Sequence, residues 1–553
     1  MDKRTLMAVV LALAVYYLWM TWVSANEVPV VAPDPVAQTV PSVAASTGVA
    51  PVASAPVASA AIEALPLVTV PYSACGIDAE LWSGGGALRG TTLADHLGHY
   101  EVQPLWSWLV GKVMGEPGSW LPYGPTPDNV RIVSSEGHLL EMGAGPLDGQ
   151  APRVAIEGQG SDRTLRGVTD QGIEVIRTLK PVQVGDHCLI EVEASWRNLG
   201  AAPWSGDLWI SGHDQLPESN SRYAPAARPV ALYGGEFEEF TKLDKLTGPE
   251  PREGSVSWFG LADGYFASVL VVPEGSDGRA VFLPRGQGDG VSYGVDLVHT
   301  RTLAPGERFD ETYQLYIGPK SLSGLKDIRP DLSELVRLGF FGFFAKILLI
   351  ALTFFHGLLG NWGWAIIALT VVVKLLFYPL TQVSFKSSQA MQDIQPELTR
   401  IKEQLKDKPE ELNRRTMELF KENGVNPLGG CLPMLVQMPV WFALYAALLS
   451  SVDLYHTEFY YLRDLSVADP YMVLPAVVVA LMMVQQQFVP MGNMDPVQAK
   501  MMKFMPLMFG FFFFAFPAGL VLYIFVNTVL TITQQWLIKR QYGNRKEPAA
   551  QRA

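Results

Sequence analysis

One stretch near the middle of the chain limits its folding options more than any other. WGWAIIALTVVVKLLFYPLT, Trp362 to Thr381, is long enough to span a bilayer and carries a single charge, Lys374. A run of about 20 apolar residues crosses a membrane as a helix, because in hydrocarbon every backbone N–H and C=O must be satisfied within the segment. An ionisable group at that depth costs roughly 3 kcal/mol on insertion scales, which makes it a functional-site candidate by default. The competing reading is that Lys374, about six residues or roughly 9 Å from the inner end of its helix, runs its stem to the interface.

The chain has 553 residues and a net charge of −12, and its apolar residues concentrate at the two ends. From Asn361 to Ala553 the balance reverses, with 17 Lys/Arg against 14 Asp/Glu. The acidic excess therefore lies in the earlier part, which has no basic field to displace phosphate counterions, so direct DNA binding is not expected. The three cysteines, Cys75, Cys188 and Cys431, are too few and scattered for a disulfide scaffold or a zinc site. Cys75 and Cys188 can pair only if exported and adjacent, which the sequence leaves open.

The pattern divides the chain into segments. Residues 1–25 form an amino-terminal anchor: Leu6 to Val23 follows Lys3 and Arg4, with Tyr16, Tyr17, Trp19 and Trp22 suited to the outer interface. Val23-Ser24-Ala25 also reads as a signal-peptidase site, and a cleaved signal peptide is the rival. Residues 26–65, rich in Ala, Val, Pro and Ser, form an extended tether. Residues 66–320 change to short alternating segments; Ile190, Val192, Ala194 and Trp196 alternate with Glu191, Glu193, Ser195 and Arg197, and Tyr313 to Ile317 repeats the device. A large antiparallel β-sandwich follows from that pattern. GQGDG at Gly286 to Gly290 precedes no helical pattern and reads as a strand turn.

Residues 321–360 hold a connector and an apolar segment, Leu338 to Gly360, interrupted by Lys346 and His356. Were it to cross, eight Lys/Arg between Lys386 and Lys421 would fall outside, against the positive-inside tendency, so it is placed on the outer surface as an interfacial amphipathic helix. The second span occupies 361–385, a cytoplasmic helical hairpin 386–425, spans three to six 426–538, and a basic cytoplasmic tail 539–553. The later crossings fall at about Leu428–Leu449, Tyr471–Phe488, Met501–Phe516 and Gly519–Ile538, with Pro517-Ala518-Gly519 as a tight outer turn. The fold class is a polytopic α-helical membrane protein of six spans with both termini cytoplasmic and a large outer β-sandwich.

Polar side chains recur on the spans at helical spacing. Thr370, Lys374, Tyr378 and Thr381 form one stripe, and Tyr523, Asn527, Thr531 and Gln534 or Gln535 a second. Gln485 to Gln487 are consecutive at an inner helix end, and Gln437 lies between Pro433 and Pro439. These groups can converge on one wet cavity in the inner half of the bilayer; the plainer alternative is hydrogen bonding between helices. In the hairpin, Met391, Ile394, Leu398, Ile401 and Leu405 make a heptad seam, Lys408-Pro409 breaks the helix, and Leu412, Thr416 and Leu419 resume on a returning arm that carries Arg414 and Arg415. It reads as a spacer or as a docking arm. The chain contains no phosphate loop, HExxH or GxSxG motif, and its histidines are dispersed. No catalytic residue, metal or cofactor is expected.

NPLGGCLPMLVQMPVWFALY at Asn426 to Tyr445, YPLT at Tyr378 to Thr381, DP at Asp469-Pro470, FMP at Phe504 to Pro506 and FPAGLVLY at Phe516 to Tyr523 stand in order across five spans. This series resembles the YidC/Oxa1/Alb3 family of membrane-protein insertases, and the tether and outer domain resemble its Gram-negative bacterial members. The resemblance implies a five-span core around a hydrophilic groove, open to cytoplasm and lipid and closed outward, with a periplasmic supersandwich-like domain. It places the chain in the bacterial inner membrane, in contact with the phospholipid bilayer, nascent membrane proteins, the Sec translocon, the ribosome and signal-recognition targeting factors. By position Thr370, Met438, Trp441 and Tyr523 fall where client-contacting groove residues are expected. The family commonly has Arg where Lys374 stands, and a relative has tyrosine at Ile524. Lysine keeps the charge and loses the planar fork. The alternative is a small-anion transporter, which would require a path to the outside and preferably an internal repeat; none is visible.

Overall fold

Alternation from Leu189 to Arg197 buries one side of a strand, and the chain forms that strand within His187–Asn198, with Ile190, Val192, Ala194 and Trp196 fully buried. The computed structural model describes residues 66–546 except 98–122, 124–128, 136, 148, 186, 215–226, 286–290, 380, 383–392, 406–407, 424–431, 488–503, 509 and 511. Phe504 apart, the described residues fall in one contact unit. The anchor, the tether, the 286–290 turn, Met391, Cys431 and the end of the basic tail lie outside the described residues.

The outer domain is two antiparallel sheets, each of nine strands among the described residues. Across the first run β1 (Thr69–Ala74), β2 (Ile77–Trp82), β3 (Ala87–Leu97), β5 (His138–Ala144), β10 (Trp204–Asp214), β17 (Ser292–Leu303), β16 (Arg279–Arg285) and β13 (Glu250–Pro251), with β4 (Asn129–Arg131) paired to β3. Across the second run β12 (Glu236–Glu239), β11 (Arg228–Tyr233), β14 (Val256–Ala262), β15 (Phe266–Val271), β18 (Arg308–Pro319), β9 (His187–Asn198), β8 (Ile173–Val184), β7 (Arg163–Val168) and β6 (Val154–Glu157). The strands flanking residues 286–290 pair Arg285 with Ser292. Leu208, Ile210 and Phe282 of the first sheet meet Val192, Tyr313 and Leu315 of the second in one core, as two stacked sheets require. Trp196 crosses between them, its indole N–H donating to the Gly143 carbonyl at 3.0 Å.

The opposite face of the second sheet is apolar too, which an isolated sandwich would not tolerate in water. Leu189, Trp258 and Val269 pack with Leu325, Leu332 and Leu335 of the connector, and the same cluster continues into Ala345, Leu349 and Leu352. Ser321 caps α1 (Leu322–Ile328), Trp258 Nε1 donates to Asp331 O at 3.3 Å, and an Arg329 guanidinium N–H donates to Val272 O at 2.9 Å. Sandwich and membrane helices thus share a packed joint.

The helical part comprises α2 (Gly342–Leu359), α3 (Trp362–Leu376), α4 (Gln395–Gln404), α5 (Pro409–Glu422), α6 (Leu432–Ser450), α7 (Val473–Gln486) and α8 (Ala518–Lys546). By length and composition alone, α2 and Ala518–Ile538 could cross a membrane; Trp362–Leu376, Met438–Ser450 and Val473–Gln486 are shorter apolar helices. Residues 504–508 and 512–513 are helical within the expected fifth span. The α2–α3 turn is two residues: Gly360 takes φ 70°, open to a residue without Cβ, and Asn361 caps α3 by accepting from the Gly363 and Trp364 amides. α2 buries Ala345, Leu349 and Leu352 against its neighbours α3 and α6 and exposes Phe343, Ile347, Ile350, Phe354 and Leu358. In the hairpin, Ile394 and Leu398 are buried against Leu419 and Phe420 with Ile401 alongside, Leu405 is half-buried, and Arg414 and Arg415 both pair with Glu418 on the exposed side.

Candidate functional site

A helix repeats a face every three to four residues, so α3 presents Thr370 and Lys374 together and α8 presents Tyr523, Asn527 and Thr531 together. These helices pack against each other. Lys374 Nζ donates to Thr531 Oγ1 at 2.8 Å, across 157 positions of sequence. The Thr531 hydroxyl spends its own proton on the Asn527 carbonyl at 2.6 Å, leaving lone pairs for the ammonium. Thr370, one turn above, is buried, and its hydroxyl donates to Ile366 O at 2.6 Å. Tyr523 is buried as well, while Lys374, Asn527 and Thr531 are half-buried.

The partner described for the Lys374 ammonium is thus a neutral hydroxyl, not a carboxylate. Asn527 Oδ1, Gln534 Nε2 and Gln535 Oε1 are shielded and have no hydrogen-bond partner. Buried amides are rarely left so. Tyr378 continues the α3 stripe and is half-buried. Met438, exposed, and Trp441, stacked on Tyr445 at 6.0 Å between ring centres, stand on α6, which touches both α2 and α8. Gln437 is on α6 with its side chain outside the described residues. The structure therefore joins the α3 and α8 stripes directly, and gives Met438 and Trp441 no hydrogen bond to them among the described contacts.

The Trp362 and Ala518 ends of these helices are covered by residues 451–472, a segment that stands out in the sequence only at Asp469-Pro470 and the start of the Tyr471–Phe488 run. Leu462, Leu465, Val467 and Ala468 are buried. The orphan amides that open α8 are satisfied here: Ala518 N–H donates to Val467 O at 2.7 Å and Gly519 N–H to Leu465 O at 2.8 Å. Asn361 Nδ2 donates to Glu458 O at 3.0 Å, and Phe459 lies so close to Gly363 that a Cβ there would sit 2.1 Å from its ring. Asp469 accepts from the Tyr471 and Leu474 amides and the Tyr461 hydroxyl; Asp464 accepts from Ser466 N–H and Oγ–H. The signals were present as Asp464-x-Ser466 and Asp469-Pro470, short side-chain turns. Lys374 and Thr531 lie 12 and 13 positions from Trp362 and Ala518, about 18–20 Å along their helices from this covered end.

A buried charge cluster, far from Lys374 in sequence, belongs to the outer domain. His213 Nε2 lies 3.0 Å from Asp296 Oδ1, and Arg285 donates to Asp296 Oδ2. Burial holds the His213 imidazole below its ordinary range; burial pushes the Asp296 carboxyl up, but Arg285 and His213 outweigh it and hold the carboxyl low.

Two family models match adjoining parts of the chain: 60Kd inner membrane protein over residues 354–546, and YidC periplasmic domain over residues 148–351. Curated relatives carry the name membrane protein insertase YidC. That of Geobacter sulfurreducens is 36% identical over 434 residues, covering 75% of this chain and 80% of its own. That of Citrifermentans bemidjiense is 40% identical over 394 residues, 70% of this chain and 72% of its own. The Geotalea daltonii protein is 33% identical over 566 residues, 98% of this chain and 99% of its own.

Proposed function

Since the chain belongs to the YidC family of membrane protein insertases, which are not enzymes, we propose that the polar face shared by α3 and α8 is a hydrophilic groove through which short polar segments of client proteins pass. A client's polar tail enters from the cytoplasmic side. Lys374 attracts its acidic groups, while Thr370, Tyr378, Tyr523, Asn527 and Thr531 replace bulk water, so the tail crosses less hydrocarbon. The client's apolar segment slides past Met438 and Trp441 into lipid, driven by burial of apolar area at about 25 cal/mol per Å². A membrane potential positive outside assists an acidic tail by about 2.3 kcal/mol per charge per 100 mV. No nucleotide is consumed.

The accompanying topology has six spans, both termini cytoplasmic, α2 at the outer interface and the sandwich in the periplasm. The α4–α5 hairpin receives clients from the ribosome or targeting factors, and the sandwich contacts the Sec translocon or acts as a spacer. The observation that carries this reading is the 2.8 Å bond from Lys374 to Thr531, which unites two polar stripes about 18 Å below a closed outer end. The test is purified protein in liposomes, without nucleotide. Insertion of a single-span client with a short acidic outer tail is the expected result; selective anion uptake without insertion would overturn it.

A further inference from the structure

The chain enters the sandwich through the β1–β2 hairpin, whose two-residue turn is Cys75-Gly76 between the paired residues Ala74 and Ile77. Both turn residues take positive φ, 57° and 71°. Such turns favour Asn, Asp or Gly, so a cysteine there sits against local preference. Its sulfur meets Cys188, the second residue of β9, with Cα atoms 5.1 Å apart, inside the range that a disulfide spans. β1 is the edge of the first sheet and β9 lies within the second, so the link crosses between the sheets. It also lies beside the joint to the membrane: Leu189 packs into the cluster holding Leu325, and a Cβ at Gly324 of α1 would touch the His187 ring at 3.0 Å.

We infer that Cys75 and Cys188 form a structural disulfide that staples the entry hairpin to the membrane-proximal end of the second sheet, and that it is made after export. This rests on the proposed periplasmic placement of the sandwich. Closing the bond removes two protons and two electrons from the two thiols; a disulfide-bearing oxidant outside the inner membrane accepts them and leaves as a dithiol. The staple closes a loop spanning 113 positions, which removes much of the freedom the unfolded domain would otherwise have.

The test uses the full chain, acid-trapped from cells, denatured and labelled with a maleimide polymer. One labelled thiol, that of Cys431, is expected without reductant and three after reduction, with two in Cys75→Ser or Cys188→Ser. In detergent, reductant is expected to lower the melting temperature of the outer domain by about 5–10 °C and to leave the double serine variant unmoved. Three labelled thiols without reductant, or no thermal shift, overturns the staple. External protease on spheroplasts, run in parallel, tells whether the periplasmic placement falls with it.

Discussion

Replacing Lys374 by alanine and, separately, Thr531 by valine distinguishes a charge that attracts clients from one that merely ties two helices together. The bond between them is 2.8 Å long and charge-assisted, a class that contributes about 1.5–3 kcal/mol. Thr531→Val keeps the shape and removes the acceptor, so up to that amount of α3–α8 cohesion is lost while the ammonium stays in the groove. Lys374→Ala removes both. A client carboxylate about 4 Å from an ammonium gains roughly 1 kcal/mol in bulk water and about 4 kcal/mol at an effective dielectric of 20. For a half-buried lysine facing the proposed groove, about 1–2 kcal/mol follows, a factor of about 5–30 in rate. The assay is the initial insertion rate into liposomes for two clients that differ only in an acidic or a neutral tail, with proteins matched for monodispersity. Lys374→Ala is expected to slow the acidic client by about 5- to 30-fold and the neutral one by no more than about twofold; Lys374→Arg retains the rate, and Thr531→Val stays within about threefold. If Thr531→Val costs as much as Lys374→Ala, or both clients slow equally, Lys374 is a helix tie and the groove charge has no role in selection.

Gly363→Ala forces a Cβ to within 2.1 Å of the buried Phe459 ring and is expected to destabilise the outer closure by about 1–3 kcal/mol, read as a lowered melting temperature that Phe459→Ala partly restores. Asp469→Ala leaves the Tyr471 and Leu474 amides and the Tyr461 hydroxyl without their acceptor and should cost about 2–4 kcal/mol, with faster proteolysis between 455 and 472; unchanged melting and proteolysis would contradict the closure. His213 and Asp296 both have folded-state affinities for protons below their unfolded values, so the unfolded chain binds more protons as pH falls. Their stabilisation is full above the unfolded value of each group, declines for His213 below about pH 6.5 and for Asp296 below about pH 4. The melting temperature of the outer domain should therefore drop between pH 7 and 5, and His213→Gln should flatten that drop; an unaltered profile would remove His213 from the account.

Periodicity made the elements readable. A period of two with buried Ile190, Val192, Ala194 and Trp196 forces a strand, and spacings of three and four at Ile394, Leu398 and Ile401 force a helix seam. Phe420 escaped notice because it sits beside Leu419 at the end of the returning arm, where one turn buries two neighbours. The packing of segment 451–472, known from the sequence only by its Asp469-Pro470 motif and the start of the next apolar run, was hidden for another reason. The segment has no period, and its order comes from side-chain turns at Asp464 and Asp469 and from carbonyls that meet the start of α8.

The sequence by itself determined the β-sandwich domain, the apolar helices that follow it and the family, because each is written in local spacing or in ordered short motifs. Only the tertiary structure decided that Lys374 meets Thr531, that Cys75 meets Cys188, and that the second sheet of the sandwich continues its apolar cluster into the helices. Those contacts join positions far apart in the chain, and no local preference specifies them; they follow from which faces must be buried together once the helices and sheets exist.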